Sequence, residues 1–338
     1  AKLFINRTIL EGKAYPKSEH SEGTAADYLE NLGIEICPYN DFYETAGQLQ
    51  GKVILLEKEK VNDGLLNRVA GQNQILDRMN PTSLSKAVKN PVEIEHMKEA
   101  HVKDGAAVTR FIYWLKHEAS ETMARGGTVD EVEAAEKLEE FRKEQEGYLG
   151  PSFDTISAYG SNGAMCHYSA KKDSCACLEP RGFYLVDSGG QYYEGTTDIT
   201  RTIVMGPLTE EQRMHFTLVP FNHGTGHGVG YLLNVHERPN RICFRIKDNL
   251  KENAVLEDGM ITSDEPGLYI EGSHGIRTEN LILCKKEEKN SFGQFMGFEY
   301  LTWAPIDLEG IDCRYMTEGD RQLLNEYHRQ GYEKNSDY

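Results

Sequence analysis

Two aspartates, Asp187 and Asp198, have types and spacing that suggest chemistry within this 338-residue chain. They stand eleven residues apart, each beside an apolar or β-branched run, and the Ser-Gly-Gly segment between them predicts a tight turn. Such a hairpin would bring both carboxylates to one end of a sheet. Each would then raise the pKa of the other unless a cation lies between them. The alternative is a pair of ordinary solvated aspartates.

A glycine-dense loop from His223 to Gly230 carries a second histidine, His227. Two further carboxylates follow, Glu265 and Glu279, fourteen residues apart. Together with the two aspartates they supply four carboxylates and one imidazole. This set suits two hard divalent ions such as Mn²⁺ better than a thiolate zinc site. The formal charges agree, because two divalent ions balance four carboxylates, whereas one ion would leave surplus negative charge in a partly buried site.

The order and glycine-rich context of these residues resemble the creatinase/aminopeptidase P/prolidase family, the pita-bread metallopeptidases, and within it the cytosolic Xaa-Pro aminopeptidase branch. The resemblance covers roughly residues 80–338. It implies an α+β pita-bread catalytic domain at 81–338 and a smaller, incomplete, creatinase-like α/β domain at 1–80. It also implies two bound divalent ions, Mn²⁺ being the expected metal and Zn²⁺ or Co²⁺ the alternatives. The ligands would be Asp187, Asp198, His227, Glu265 and Glu279.

The same resemblance assigns roles to three more histidines. His167, in Asn-Gly-Ala-Met-Cys-His-Tyr, and His223 would bind substrate and hold or pass protons. His236 would bind substrate and stabilise the developing oxyanion. Glu265 is expected to act as the general base as well as a metal ligand. The expected catalytic residues are therefore Glu265, His167 and His236. Arg277 would either bind substrate and orient ligands or form a plain salt bridge.

The implied activity is removal of an N-terminal residue from a peptide with proline in second position. The resemblance also implies a homodimer. One alternative is a prolidase-type dipeptidase, which shares the same metal set. The other is an inactive pita-bread module that binds peptides, although such relatives typically lose ligands and all five are present here. The proline specificity comes from the resemblance and not from any residue pattern.

Composition narrows the class of protein further. The net charge of −17 argues against nucleic acid as a partner, because a phosphate backbone requires basic patches. The sequence contains no run of eighteen apolar residues, which predicts no membrane span, and its first residues do not resemble a signal peptide. Seven cysteines, an odd number without framework spacing, predict reduced thiols and a cytoplasmic location.

Residues 1–80 predict a small α/β domain, because short apolar runs alternate with helical stretches. The predicted strands are 34–37 and 52–57, and the predicted helices are 25–32 and 62–69.

The larger domain is predicted from capping signals and periodicity. Asn90 should cap a helix over 90–117, Thr128 with Glu131 a helix over 128–146, and Thr317 a helix over 317–332. One more helix is predicted at 209–219, and strands at 153–158, 199–205, 260–265, 276–284 and 298–306. Arg277 and Glu279 would then share one strand face.

The pita-bread fold that the resemblance implies has two similar halves, each with two helices before its pair of strands. The second half of the predicted core is short by one helix. The first half has two helices, whereas only 28 residues separate Asp198 from His227 and they hold one. Losing a core helix in evolution would expose the sheet face that it covers. We therefore interpret the short connection, near 219–222, as a place where this sequence lacks residues of the natural polypeptide. A second such place is expected near 20–21.

Overall fold

The structure, a computed structural model, describes residues 1–11, 23–222, 225–232, 234–243 and 255–336. The chain divides into two compact units, Ala1–Pro81 and Thr82–Tyr338. Within the described residues, every helix is too short or too polar to cross a lipid bilayer.

The smaller unit alternates strands and helices, as its sequence predicts. Its elements are β1 (Lys2–Phe4), α1 (Arg7–Leu10), α2 (Ala25–Asn31), β2 (Glu35–Cys37), α3 (Phe42–Gly47), β3 (Val53–Leu56), α4 (Asp63–Ala70) and β4 (Gln74–Asp77). Strand β1 pairs in parallel with β2, and β3 pairs in parallel with β4. The predicted strands at 34–37 and 52–57 and the predicted helices at 25–32 and 62–69 are confirmed.

The helices of the larger unit are α5 (Pro81–Ala87), α6 (Pro91–Trp114), α7 (Ser120–Ala124), α8 (Glu131–Lys143), α9 (Glu210–Asn222) and α10 (Glu318–Asn335). Asn90 caps α6 as predicted: its side chain accepts from the backbone of Val92 and Glu93, and Glu93 accepts from the Asn90 backbone in return. A π-helical turn, Leu115–Ala119, joins α6 to α7. Thr317 caps α10 as predicted.

The predicted cap of α8 is wrong. Asp130, and not Thr128, accepts the hydrogen bond that starts the helix, and Glu133 completes the capping box. Both residue pairs have capping-box spacing, but Glu131 is fully buried and accepts hydrogen bonds from other parts of the chain. Because Glu131 turns inward, it cannot return a bond to Thr128.

The larger unit contains thirteen strands among its described residues: β5 (Tyr148–Pro151), β6 (Ile156–Tyr159), β7 (Phe183–Ser188), β8 (Gly190–Tyr192), β9 (Gly195–Thr196), β10 (Ile199–Val204), β11 (Gly226–Val229), β12 (His236–Ile242), β13 (Ile261–Asp264), β14 (Gly267–Ile270), β15 (His274–Arg277), β16 (Asn280–Asn290) and β17 (Gly293–Tyr300). They form sheets in the orders β10-β7-β6, β12-β11-β13-β16-β17, β5-β8-β9 and β14-β15. All pairings in these sheets are antiparallel.

The Ser-Gly-Gly segment is not the predicted tight turn. The chain passes from β7 into β8 and turns back only at Tyr193 and Glu194, so that β10 returns beside β7 after a detour through another sheet. A side chain at Gly189 would place its Cβ 1.9 Å from the carbonyl oxygen of Thr197. Glycine is therefore needed there because two backbones cross closely, which sequence alone cannot distinguish from a turn.

Three other predicted strands have different bounds. The strand predicted at 153–158 is β6, which begins at Ile156 and ends at Tyr159. The strand predicted at 276–284 is two strands, β15 and β16, interrupted at Thr278 and Glu279. Glu279 therefore does not share a strand face with Arg277. The strand predicted at 298–306 ends at Tyr300, and the residues that follow are irregular. Helix α9 confirms the helix predicted at 209–219 and is the one helix between β10 and β11 among the described residues.

Helix α6 is central to the core because it contacts two sheets. Phe111 packs with Leu138 of α8, Tyr184 of β7 and Ile199 of β10, all fully buried or nearly so. About four turns before Phe111 in the same helix, Met97 packs with the β11–β13–β16 sheet. Burying one such side chain contributes about 1.5–3 kcal/mol. Every residue of β7 and β10 is buried, so these strands rigidly support the residues at their ends.

A histidine pair joins α9 to β15. Nδ1 of His215 lies 3.1 Å from Nε2 of His274, and the Ser273 hydroxyl lies 2.8 Å from Nδ1 of His274. Burial of His274, and then the proximity of His215, lower the pKa of His274 below its ordinary value of 6.5, with Glu211 acting in the opposite direction.

We predict an acid-labile contribution to stability from this pair. Because the pKa of His274 is lower in the folded protein, the unfolded chain takes up the proton first as the pH falls. The contribution is complete above pH 6.5 and is lost as the pH falls through 6.5 toward the depressed folded pKa. Between pH 8 and pH 5.5, Tm should therefore fall less for His274→Asn than for the unsubstituted protein. Equal falls would contradict the prediction.

Candidate metal centre

The five predicted ligands converge on one cavity of about 560 Å³. Each comes from a different point in the sheets: Asp187 near the end of β7, Asp198 just before β10, His227 within β11, Glu265 just after β13, and Glu279 between β15 and β16. His167, His236 and Arg277 line the same cavity. His223 lies outside the described residues.

Strand pairing explains the convergence. Asp187 is the register partner of Thr200, two residues after Asp198, so both aspartates lie at one end of the β7–β10 ladder. In the other sheet Asp264 pairs with Asn280. Glu265 and Glu279 each lie one residue beyond that pair, at the same end of the β13–β16 ladder. The backbone nitrogen of Glu279 donates to the carbonyl of Thr200 at 3.1 Å, which joins the two ladder ends.

His227 presents a lone pair to the carboxylates. Its Nδ1 lies 2.9 Å from the carbonyl oxygen of Gly228, which can only accept, so Nδ1 carries the proton in the neutral ring. Nε2 then faces Asp198 Oδ2 at 3.4 Å and Glu265 Oε1 at 3.5 Å. Three electron-rich atoms facing one another without an intervening proton are the arrangement that a cation stabilises. One donor atom each from Asp198, His227 and Glu279 also lies within 4.8 Å of the others.

The carboxylates are electrostatically unsatisfied. Burial, followed by the negative charges of Asp187 and Glu265, raises the pKa of Asp198 well above its usual range. Burial, followed by the charges of Asp198 and Asp187, does the same to the pKa of Glu279. Among the described residues, Oδ1 of Asp187 is buried without a hydrogen-bond partner. Bound divalent cations would reverse both pKa shifts and satisfy this oxygen, so the residues present fit a metal centre.

Arg277 offsets part of the negative charge. Its Nη2 donates to Oδ2 of Asp187, its Nε to the hydroxyl of Thr200 at 3.1 Å, and its Nη1 to the hydroxyl of Tyr269 at 2.7 Å. The hydroxyl of Thr200 in turn donates to Oε2 of Glu279 at 2.6 Å. The salt bridge that was the alternative for Arg277 is therefore present, and it leaves one oxygen of Asp187 facing the cavity.

A buried arginine fixes the backbone of Glu279. Arg201 donates to the carbonyls of Thr200 and Glu279 at 2.8 and 2.7 Å, and also to the carbonyl of Ala304 and the hydroxyl of Tyr327. It thereby ties a ligand segment to the C-terminal helix α10, which carries Tyr327.

A buried ion pair supports Asp198 from the other side. Arg142 donates to both oxygens of Asp104, with Nε 2.6 Å from Oδ1, and both side chains are at most 1% exposed. The hydroxyls of Tyr192 and Thr197 also donate to Asp104. Because Thr197 immediately precedes Asp198, this network fixes the direction in which the aspartate enters the cavity.

Two of the histidines outside the ligand set, His167 and His236, lie at the cavity, and their roles stay predictions. The ring of His236, at the start of β12, packs edge-on against His227 with centroids 4.2 Å apart. Burial, and then His227, lower the pKa of His236. His167 lines the cavity from the 159–176 loop and is solvent-exposed.

The glycines beside His227 are required by strand packing rather than by approach to a metal. A Cβ at Gly226 would lie 1.9 Å from the carbonyl oxygen of Ser263, and one at Gly228 would lie 2.5 Å from that of Glu237. The neighbouring strands β13 and β12 therefore exclude side chains at both positions.

Several supporting residues escaped the sequence analysis. Thr200 and Ser263 each lie two residues from a ligand, Asp198 or Glu265, and period-two alternation could have indicated them. The hydroxyl of Ser263 accepts from the backbone of His227 at 2.9 Å and donates to Glu265 Oε1 at 3.0 Å. The sequence around Tyr269 does not indicate that it supports the site, because its role depends on Arg277 of the paired strand.

Three family models match the chain. That of metallopeptidase family M24 matches residues 95–220 and 218–286, that of the C-terminal region of peptidase M24 matches 294–338, and that of the creatinase/prolidase N-terminal domain matches 1–93. The chain belongs to metallopeptidase family M24.

Two similar curated relatives share one functional name. A probable Xaa-Pro aminopeptidase P of Pyrenophora tritici-repentis is 36% identical over 362 residues, covering 92% of this chain and 60% of the relative. A protein of the same name from Arthroderma gypseum is 37% identical over 386 residues, covering 100% of this chain and 58% of the relative. The chain therefore spans less than two thirds of the length of these relatives.

Solved structures confirm the pita-bread fold. The X-prolyl aminopeptidase of Caenorhabditis elegans, described as a cytosolic enzyme with a di-nuclear active site, superposes with a TM-score of 0.84 at 26% identity. The match covers 99% of this chain and 58% of that one. The prolidase of Pyrococcus furiosus superposes with a TM-score of 0.59 at 25% identity, covering 80% of this chain and 81% of that one.

The comparisons also support the predicted gap near residues 219–222. The M24 match breaks into two parts that meet at 218–220, where the sequence is one helix short. The alignment with the Arthroderma gypseum relative extends over 386 residues, although this chain has 338, so the relative has residues that this chain lacks, at positions that the length does not locate. The break in the M24 match is expected if residues are missing near 219–222, which stays a prediction.

We predict that the Asp104–Arg142 pair is structurally essential. Asp104→Asn would leave the buried guanidinium of Arg142 without a balancing charge, and breaking one side of a buried pair costs about 3–5 kcal/mol. Urea unfolding would measure the loss. The control is Glu121→Gln, whose partner Arg125 is 80% exposed and whose loss should hardly change stability. Equal unfolding midpoints for the two variants would contradict the prediction.

Proposed function

We propose that this chain is a metal-dependent exopeptidase that removes the N-terminal residue of peptides with proline in second position. The observation that carries the proposal is the convergence of four carboxylates and the Nε2 lone pair of His227 on one cavity. The proline specificity is supported by the names of the relatives and of the C. elegans structure, Xaa-Pro and X-prolyl aminopeptidase.

The metal ligands in this proposal are Asp187, Asp198, His227, Glu265 and Glu279, holding two divalent ions. When bound, such ions supply Lewis-acid polarisation of a carbonyl and lower the pKa of water. The oxygen-rich donor set supports Mn²⁺ as the native ion, with Zn²⁺ or Co²⁺ as alternatives. A homodimer and a cytoplasmic location are part of the same proposal, which sedimentation and fractionation experiments would test.

Glu265 is the proposed general base. The hydroxyl of Ser263 donates to its Oε1 at 3.0 Å and so fixes the orientation of the carboxylate. The other oxygen remains available to accept a proton from the attacking water and return it to the leaving amine. In this proposal His236 donates an N–H hydrogen bond to the developing oxyanion and His167 contacts substrate, roles that are supported by the position of both side chains in the lining of the cavity.

A prolidase-type dipeptidase is the second candidate. It is supported by the match to the P. furiosus prolidase, which covers 80% of this chain and 81% of that one. Both enzymes would use the same ligands, so the site geometry does not separate them.

Three substrates distinguish the candidates. An aminopeptidase should release the first residue from a tripeptide with proline in second position, whereas a dipeptidase should cleave only the Xaa-Pro dipeptide. A tripeptide with alanine in place of proline is the matched control and should be cleaved slowly by either enzyme. Absence of hydrolysis of all three by the Mn²⁺-loaded protein would refute both candidates.

His227→Ala should lose bound metal, because it removes the imidazole nitrogen that faces Asp198 and Glu265. Metal content measured by plasma emission spectroscopy after dialysis should fall below two ions per chain, and hydrolysis should stop. His236→Ala is the matched control, since it removes the adjacent ring. Two ions bound to the His227 variant would overturn its assignment as a ligand.

His236→Ala should retain both ions and its Tm but lose kcat. Removing one donor to a developing oxyanion typically lowers kcat about 10²–10³-fold, because the lost interaction exists mainly in the transition state. KM should change little. Normal kcat with a lowered Tm would instead make His236 a packing residue, and loss of one ion would make it a ligand.

A further inference from the structure

Glu131 is a fully buried carboxylate at the first position of α8 that no catalytic or metal role accounts for. Its oxygens accept four hydrogen bonds. Oε1 accepts from the backbone nitrogen of Tyr159 at 2.6 Å and from Nδ2 of Asn162 at 2.9 Å. Oε2 accepts from the hydroxyl of Tyr168 at 2.7 Å and from the backbone nitrogen of Ala176 at 2.9 Å.

The four donors belong to both ends of one loop. Tyr159 ends β6, Asn162 and Tyr168 lie within the loop, and Ala176 closes it. The loop side chains from Cys166 to Ser169 line the metal cavity, and His167 is among them. Glu131 therefore fastens the base of the loop that carries a proposed substrate-binding histidine.

The loop also packs directly against strand β15, which carries Arg277. A Cβ at Gly275 would lie 1.7 Å from the carbonyl oxygen of Gly163, so the backbones of the loop and of β15 are in direct contact. Two residues along β15, Arg277 donates to Asp187. A shift of the loop at Glu131 would therefore be transmitted to the cavity wall as well as to His167.

A carboxylate is required at this position. Two of the donors are backbone N–H groups, which cannot reverse their roles, one on each oxygen of Glu131. A glutamine offers one acceptor oxygen and one NH₂ group, so either orientation leaves a backbone N–H facing another donor. The hydroxyl of Tyr168 is held as a donor too, because burial and then Glu131 raise its pKa above the ordinary value.

We propose that Glu131 is the positioning residue of the substrate-binding loop: it fixes the 159–176 loop through four converging hydrogen bonds and so places His167 for substrate. This inference rests on the proposed peptidase function for its kinetic consequence, but not for its structural one.

The test compares Glu131→Gln, which keeps size and shape, with Asn162→Ala, which removes one of the four bonds and orphans no backbone N–H. Glu136→Gln, an exposed carboxylate on the same helix, is the control for the change in charge. Backbone amide exchange followed by mass spectrometry reports on the loop without reference to activity. Peptides covering 159–176 should exchange about 10-fold faster in the Glu131 variant, less so in the Asn162 variant and not in the control.

Kinetics test the consequence for substrate. For Glu131→Gln, kcat/KM on an Xaa-Pro-Xaa peptide should fall about 10²-fold, as misplacement of a contacting group by about 1 Å can cause. The loss should appear mainly in KM, with both metal ions retained and Tm at most modestly lowered. The Asn162 variant should show a smaller loss in the same parameter.

Each outcome decides the proposal. Unchanged loop exchange in a folded Glu131→Gln protein would overturn it, as would faster exchange with unchanged KM. If Glu131→Gln does not fold, unchanged loop exchange and KM in Asn162→Ala would overturn it. If the unsubstituted protein hydrolyses nothing, the proposed function fails, and loop exchange alone still decides whether Glu131 fixes the loop.

Discussion

Repulsion among buried carboxylates is the constraint on which the rest of this structure depends. The four acidic predicted ligands line one cavity, together with the exposed Asp154, and Arg277 pairs with only one of the four, Asp187. Carboxylates withdrawn from water in this way cost several kcal/mol each unless they are paired. Cations that bind the folded site, and not the unfolded chain, would remove this cost and stabilise the protein by mass action. Folding and metal binding in this chain are thus expected to be coupled.

Three buried arginines hold the acidic side chains in place. Arg277 pairs directly with Asp187, Arg201 binds the backbone of Glu279, and Arg142 acts through Asp104 on Thr197. Buried ion pairs contribute little net stability when compared with a well-packed apolar core. Their value here is geometric, because a rigid backbone keeps like charges close together while no ion is bound. The fully buried strands β7 and β10 provide the same rigidity for the aspartates.

The convergence of the five predicted ligands on one cavity was predictable because donor type, order and glycine context are properties of the sequence itself. The helices that begin at Asn90 and Thr317 were predictable for a similar reason, since a capping box is complete within four residues. The predictions that failed concerned residues whose contacts lie far away in the sequence. Two capping boxes compete at the start of α8, and the choice is made by donors 28 to 45 residues further along the chain. A glycine that relieves a backbone crossing at Gly189 looks the same in sequence as one that makes a turn.

The break between β15 and β16 could not be predicted either, because it too depends on a contact with a residue that is distant in sequence. Residues 276–284 have the composition of one strand, but Glu279 must leave the ladder for its backbone to reach Thr200. The supporting residues Tyr269, Asp104 and Glu131 likewise acquire their roles only through contacts across the fold. The sequence therefore indicates the candidate ligands and catalytic groups more readily than the residues that position them.

The contact between Arg201 and helix α10 has a consequence for biosynthesis. Arg201 reaches the carbonyl of Glu279 on one side and the hydroxyl of Tyr327 on the other. A ribosome makes Tyr327 more than a hundred residues after Arg201, so a nascent chain carries all five acidic and imidazole groups before the helix that completes their support exists. The nascent protein would thus hold an incompletely fixed acidic cavity until helix α10 docks.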